Sequence, residues 1–205
     1  MQSNAFTKAL LRTGILALFC LVMWGCQTPP PPPEFINATA NDQKLIELTR
    51  WQFRGRLAFK SEQEPFSANV RWQQSEQDTR FILTNVVGIT LLELHIEDGI
   101  TRIQADGEEY TGTDAQQLIE QISGWQIPLT QMQRWVKGLA QSNELSSRAD
   151  NGLLKHIVYT QNMRSWTVDY QRFTQADGIA LPRQLSIKDD NDVSIRLKVN
   201  EWTIN

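Results

Sequence analysis

Cys26 carries the one side chain placed for covalent chemistry in this 205-residue chain, since a thiol that follows Gly25 and a long apolar run can accept an acyl group. The other thiol, Cys20, lies inside that run, and no cysteine follows Cys26. A chain cut before Cys26 and acylated there keeps no thiol to pair, bind zinc or attack a substrate. The two histidines, His95 and His156, each fall on an expected strand with no partner at a fixed spacing. Glu108-Glu109 and Asp189-Asp190 are adjacent carboxylates, but neighbours on a strand or turn point apart, as solvated surface does. Phosphate-binding GxxxxGK[ST], dinucleotide-binding GxGxxG and zinc-binding HExxH patterns are absent. The expectation is a protein that is not an enzyme and that uses no cofactor or metal.

The first 25 residues contain Lys8 and Arg12, no acid, and the apolar run Gly14–Gly25. A basic start, an apolar stretch and a small residue make the pattern of a secretory signal peptide. The run is short for a permanent span, which needs about 20 apolar residues. Gly25-Cys26 resembles the lipobox of bacterial lipoproteins, so residues 1–25 are expected to be removed and Cys26 to take a diacylglyceryl group. An uncleaved anchor and a leader cut elsewhere are the other readings. Removal of Lys8 and Arg12 leaves 18 basic against 23 acidic residues, a net charge of −5. Such a balance offers no electrostatic case for nucleic acid.

Residues 26–40 read as a lipidated tether. Pro29–Pro33 is an unbroken proline run, which adopts a stiff polyproline II form and enters neither helix nor sheet. A ligand for a proline-binding module is the alternative. Residues 41–205 are long enough for one domain with a real core.

In that domain, Asn41–Trp51 has helical spacing, with Leu45, Ile46, Leu48 and Trp51 on one face and Asn41 or Asp42 to cap it. Alternation then takes over. Phe53, Gly55, Leu57 and Phe59 share one face, as do Phe66, Ala68, Val70 and Trp72. Thr79–Val86, Thr90–Glu97 and Ile100–Gln104 follow as strands, with hairpin turns at Asp98-Gly99 and Asp106-Gly107. Thr113–Gln116 has the form of a capping box, ahead of Leu118, Ile119 and Ile122 on one helical face that Gly124 ends. Pro128 opens a second helix whose stripe is Leu129, Met132, Trp135, Val136 and Leu139. After a polar loop over Gln141–Asn151, strands return at His156–Thr160, Ser165–Gln171, Leu181–Lys188 and Val193–Trp202.

The fold class predicted is β-rich α+β: an incomplete antiparallel β-barrel, or strongly curved sheet, with inserted helices forming a lid over a hydrophobic cavity. Six tryptophans remain after residue 26; singly each suits a core, and together they can line a hollow. Candidate lining residues are Trp72, Phe81, Leu118, Ile122, Trp135, Leu139 and Trp166. Between Asn85 and Gly88 stand Val86 and Val87, poor chemistry for a hairpin tip. Either a bulge buries the pair, or Val87 projects into a bilayer or an apolar partner.

The segments Trp51–Ala58, Val70–Gln74, Leu83–Leu94, Ile127–Leu129, Trp135–Leu139 and Ile157–Gln161, with the strand near Trp166, resemble the family of outer-membrane lipoprotein receptors called LolB. The resemblance runs in order through residues 45–202. It implies a half-closed barrel around an apolar cavity that accepts acylated lipoproteins from a periplasmic carrier of the LolA kind. It implies insertion of that cargo into the inner leaflet of the outer membrane, by a monomer that binds no nucleic acid. The family's exposed, membrane-inserting leucine corresponds to Val87, apolar but shorter. Gln27, where aspartate is the inner-membrane retention signal, then favours a lipid anchor in the outer membrane, facing the periplasm. A scaffolding outer-membrane lipoprotein without an acyl ligand is the alternative reading, and an enzyme of envelope lipid or peptidoglycan is a third.

Overall fold

Three Asp-Gly turns and a repeated inward face shape the chain into a single sheet. A computed structural model describes residues 37–61, 65–161, 163–191 and 193–204, so Cys26 and the Pro29–Pro33 run lie outside the described residues. Strands β1 (Arg50–Lys60), β2 (Phe66–Ser75), β3 (Asp78–Thr84), β4 (Thr90–Glu97), β5 (Ile100–Ala105) and β6 (Glu108–Gly112) form a meander. Strands β7 (Leu145–Arg148), β8 (Leu154–Gln161), β9 (Arg164–Ala176), β10 (Ile179–Asp189) and β11 (Ser194–Ile204) form a second. Pairing of β1 with β11 joins the two in the order β6-β5-β4-β3-β2-β1-β11-β10-β9-β8-β7. The edge strands β6 and β7 do not meet, so the curved antiparallel sheet stays open as an incomplete barrel.

The turns follow backbone chemistry. Asp98 and Gly99 have φ of 51° and 74°, and Asp106 and Gly107 have 53° and 82°. Positive φ at both central residues is the type I′ requirement that asparagine, aspartate and glycine meet best. Asp177-Gly178 makes the same turn, with φ of 45° and 73°. It carries the hairpin well beyond Gln171 and Leu181, where the strands were expected to stop and resume.

Helix α1 (Ala38–Glu47) starts and ends earlier than its spacing predicted. Asn37 is the cap, its Oδ1 accepting the Ala40 N–H at 3.0 Å. Trp51 belongs to β1, where it alternates with Phe53, the two rings parallel within 2°. Asn41 instead fastens α1 to β10, accepting the Ala180 N–H at 2.8 Å and donating to its carbonyl at 3.3 Å.

Helix α2 (Ala115–Ser123) is capped by Asp114, which accepts the Gln117 N–H, and ends at Gly124 in the left-handed region. Helix α3 (Leu129–Trp135) is shorter than its apolar stripe suggested. The chain turns at Gly138, φ +80°, where a β-carbon would lie 3.0 Å from Pro182 Cγ. That turn sends the Lys137 ammonium to the carbonyls of Leu45 and Leu48, at 2.8 and 3.0 Å, closing the end of α1. Both α2 and α3 lie in the connection between the edge strands β6 and β7.

Candidate functional site

The inward faces of β1–β5 and β11 and the α2–α3 segment do not fill the space between them. A cavity of about 120 Å³ remains there. Trp72, Phe81 and Leu94 wall it from the sheet, and Ile122, Trp125 and Met132 from the helical side. The few polar residues in the wall are Thr79, Ser123 and Gln133. Thr79 donates to Gln74 at 2.8 Å, and Gln133 Nε2 reaches both at 3.3 Å, pinning α3 to the sheet. Trp72 Nε1 is buried and has no hydrogen-bond partner among the described residues.

The sheet end that carries the 85–89 loop is closed by aromatic rings. Trp125, in the loop after α2, packs on Phe59 with centroids 4.1 Å apart, and Phe59 stacks on Phe66 at 5.2 Å. The next residue, Gln126, accepts from Arg164 Nη1 at 3.0 Å, and Arg164 is ion-paired with Asp189 at 2.8 Å. A strap therefore runs from α2 to β9 and β10.

Of the candidate lining residues, Trp72, Phe81 and Ile122 face this cavity. Leu118, Trp135, Leu139 and Trp166 do not. Leu118 packs on Gly112 at the sheet edge, where a β-carbon would lie 2.5 Å from its Cδ1. Trp135 is fully buried among Tyr159 and Trp166, with Nε1 donating to Glu144 at 3.0 Å. The Tyr170 hydroxyl donates to the Trp135 carbonyl at 2.8 Å, and burial pushes that phenol well above its usual pKa. Leu139 is half-buried against the main core. Several wall residues were not among the candidates, Leu94, Met132 and Trp125 among them, and Trp125 alone carried a signal in the sequence. An indole held between Gly124 and Pro128 has no regular element in which to hide, and that was its signal.

Val86 and Val87 are 84% and 76% exposed, so no bulge buries them. Asn85 holds the loop in shape, its Oδ1 accepting the Val87 and Ile89 N–H groups at 3.1 and 2.9 Å. Gly88 supplies a φ of 89°. With Ile89 at 61%, three apolar side chains stand in water on a preformed turn, which a soluble surface has no reason to present together.

The histidines lie apart from the cavity. His95 meets Glu93 at 2.7 Å, and that hydrogen bond, with Arg80 beside it, holds the Glu93 carboxyl below its usual range. His156 meets Asp169 at 2.8 Å on another part of the sheet.

Residues 49–202 match the family model for the outer membrane lipoprotein LolB. The outer-membrane lipoprotein LolB of Shewanella baltica strain OS155 is 30% identical over 183 residues, covering 89% of this chain and 84% of that protein. Its counterpart in Yersinia pestis strain Pestoides F is 31% identical over 208 residues, covering 100% and 99%. A DUF1329 family protein from Desulfovibrio piger shares the fold, with a TM-score of 0.51 at 5% identity over 82% of this chain and 92% of that one. The match to the family model and the full-length relatives agree: this chain belongs to the outer membrane lipoprotein LolB family.

Proposed function

We propose that this protein is an outer-membrane-anchored receptor. It accepts acylated lipoproteins from a periplasmic carrier of the LolA kind, shelters their chains in the apolar cavity and releases them into the membrane. Cys26 is the lipidated residue in this reading, and the proline-bearing stretch from Cys26 to the start of α1 holds the domain off the surface. The observation that carries the proposal is the apolar hollow under α2 and α3 in a domain that also presents Val86 and Val87 to water.

The energetics favour such a device. Each acyl methylene left in water costs about 0.8 kcal/mol, roughly 10 kcal/mol for a long chain. Cargo bearing several chains crosses an aqueous gap only inside a dry pocket. With no nucleotide-binding motif in the sequence, transfer runs down an affinity gradient, from carrier to receptor to bilayer.

A cavity of about 120 Å³ is smaller than the ~150 Å³ that admits one benzene, and far below the roughly 300–1,000 Å³ of ordinary ligand pockets. In this reading the cavity must widen to admit a chain, and α2, α3 and the Trp125 strap are the parts that would move off the sheet.

The test uses the acylated protein and a purified lipoprotein–carrier complex. Native protein should take up cargo and pass it to liposomes. Val87→Glu should still take up cargo, while delivery falls roughly tenfold or more, since a carboxylate is costly at bilayer depth. Undiminished delivery would remove the hairpin from the mechanism. A native protein that takes up no cargo would favour a scaffolding lipoprotein instead.

A further inference from the structure

The outer face of the sheet, opposite the cavity, holds a groove of about 570 Å³ beside the 85–89 turn. Arg56, Lys188, Arg196 and Lys198 line it, and no carboxylate does among the described residues. That is a cationic site on a chain whose net charge is −3. All four side chains are exposed, and none makes an ion pair or a side-chain hydrogen bond among the described residues.

Folding does not ask for this arrangement. Arg56 lies directly opposite Lys198 in the β1–β11 register, and like charges facing each other across strands are destabilising. Opposite charges at such positions would favour the sheet. A cluster that opposes the sheet's own stability and finds no partner within it is suited to an outside anion.

The groove is continuous with the apolar turn. Val86 forms part of its wall, and Asn69, also in the wall, donates through Nδ2 to the Asn85 carbonyl at 3.2 Å. The surface therefore carries two chemistries in layers: an apolar tip, and cations set immediately behind it. A bilayer leaflet has the complementary layers, acyl chains beneath anionic headgroups. A side chain seated in the acyl boundary lies about 5–10 Å below the headgroups.

We propose that this groove binds the headgroups of anionic phospholipids when the 85–89 turn enters the membrane, fixing the domain's orientation on the leaflet. The proposal rests on the receptor reading only in taking that turn as the point of insertion.

Lysine footprinting of the acylated protein on vesicles tests it without altering the chain. Lys188 and Lys198 are in the groove, whereas exposed Lys155 on β8 is not and serves as the reference. On vesicles containing phosphatidylglycerol, an amine-reactive reagent should label Lys188 and Lys198 several-fold less than on phosphatidylcholine alone, with Lys155 unchanged. Salt at 1 M should restore labelling, since the screening length falls to about 3 Å. Arg56→Gln and Arg196→Gln should each reduce the docked-to-undocked ratio about fivefold, the weight of one basic residue near an anionic surface.

Equal labelling on both vesicle types overturns the proposal. So does protection that appears only when the carrier protein is added, which would make the groove a protein-docking site. Cargo uptake in the same samples is read separately. Protection without uptake sinks the receptor function and leaves the groove standing; uptake without protection does the reverse.

Discussion

Lys137 places its ammonium against the Leu45 and Leu48 carbonyls, where a cation also suits the negative end of α1. Burial, with Arg134 adding to it, lowers its pKa from 10.5 to about 8. Above the lowered value the folded protein gives up this proton while the unfolded chain still holds it. Stability therefore rises with pH between about 8 and the ordinary lysine value. Tyr170, whose pKa is raised by burial, works in the opposite direction once unfolded tyrosine ionises near pH 10. Urea unfolding at pH 7.5, 9 and 9.8 should show the rise. Lys137→Met should lack it and should be less stable by about 1–3 kcal/mol, having left two buried carbonyls unpaired. An unchanged pH slope in Lys137→Met would mean that Lys137 titrates normally.

At the scale of elements, the strap from Trp125 to Arg164 is the natural restraint on the lid. Arg164→Ala removes the link to Gln126 and the ion pair with Asp189 together. Uptake of an apolar fluorescent probe should then quicken about fivefold, the equivalent of one hydrogen bond near 1 kcal/mol. Amides of residues 123–128 should exchange faster as well. Unaltered probe kinetics would place the gate elsewhere. The elements differ in how plainly the sequence marks them. Asp98-Gly99 and Asp106-Gly107 were legible because few residue pairs tolerate two positive φ angles. Strands β6 and β7 were not: Glu108–Gly112 and Leu145–Arg148 lie at the sheet edges, mostly exposed, and carry no alternation to read. The stripe through Leu139 is real, but tertiary packing at Gly138, not helical continuation, buries its last part. The cavity was legible as an apolar excess, and three of its candidate residues line it. Which apolar residues meet at the cavity near Phe81 and which pack around Trp135 depends on contacts between distant strands, which spacing does not encode.

At the scale of the whole molecule, two meanders depend on one seam, β1 against β11. Gly55 lies at the irregularity in that seam, and a β-carbon there would stand 2.3 Å from the Lys198 carbonyl oxygen. Gly55→Ala must push the strands apart, with an expected loss of about 1–3 kcal/mol. A lower urea midpoint would show it, and an unshifted midpoint would mean that the seam yields freely. The seam also pairs the first strand of the domain with its final one, Trp51 opposite Ile204 and Lys60 opposite Ser194. Contacts so far apart in sequence close late. Any pore that passes this polypeptide lengthwise, amino end leading, releases β1 long before β11 can reach it. That join stays undone throughout transit, and the two halves lock only on the far side.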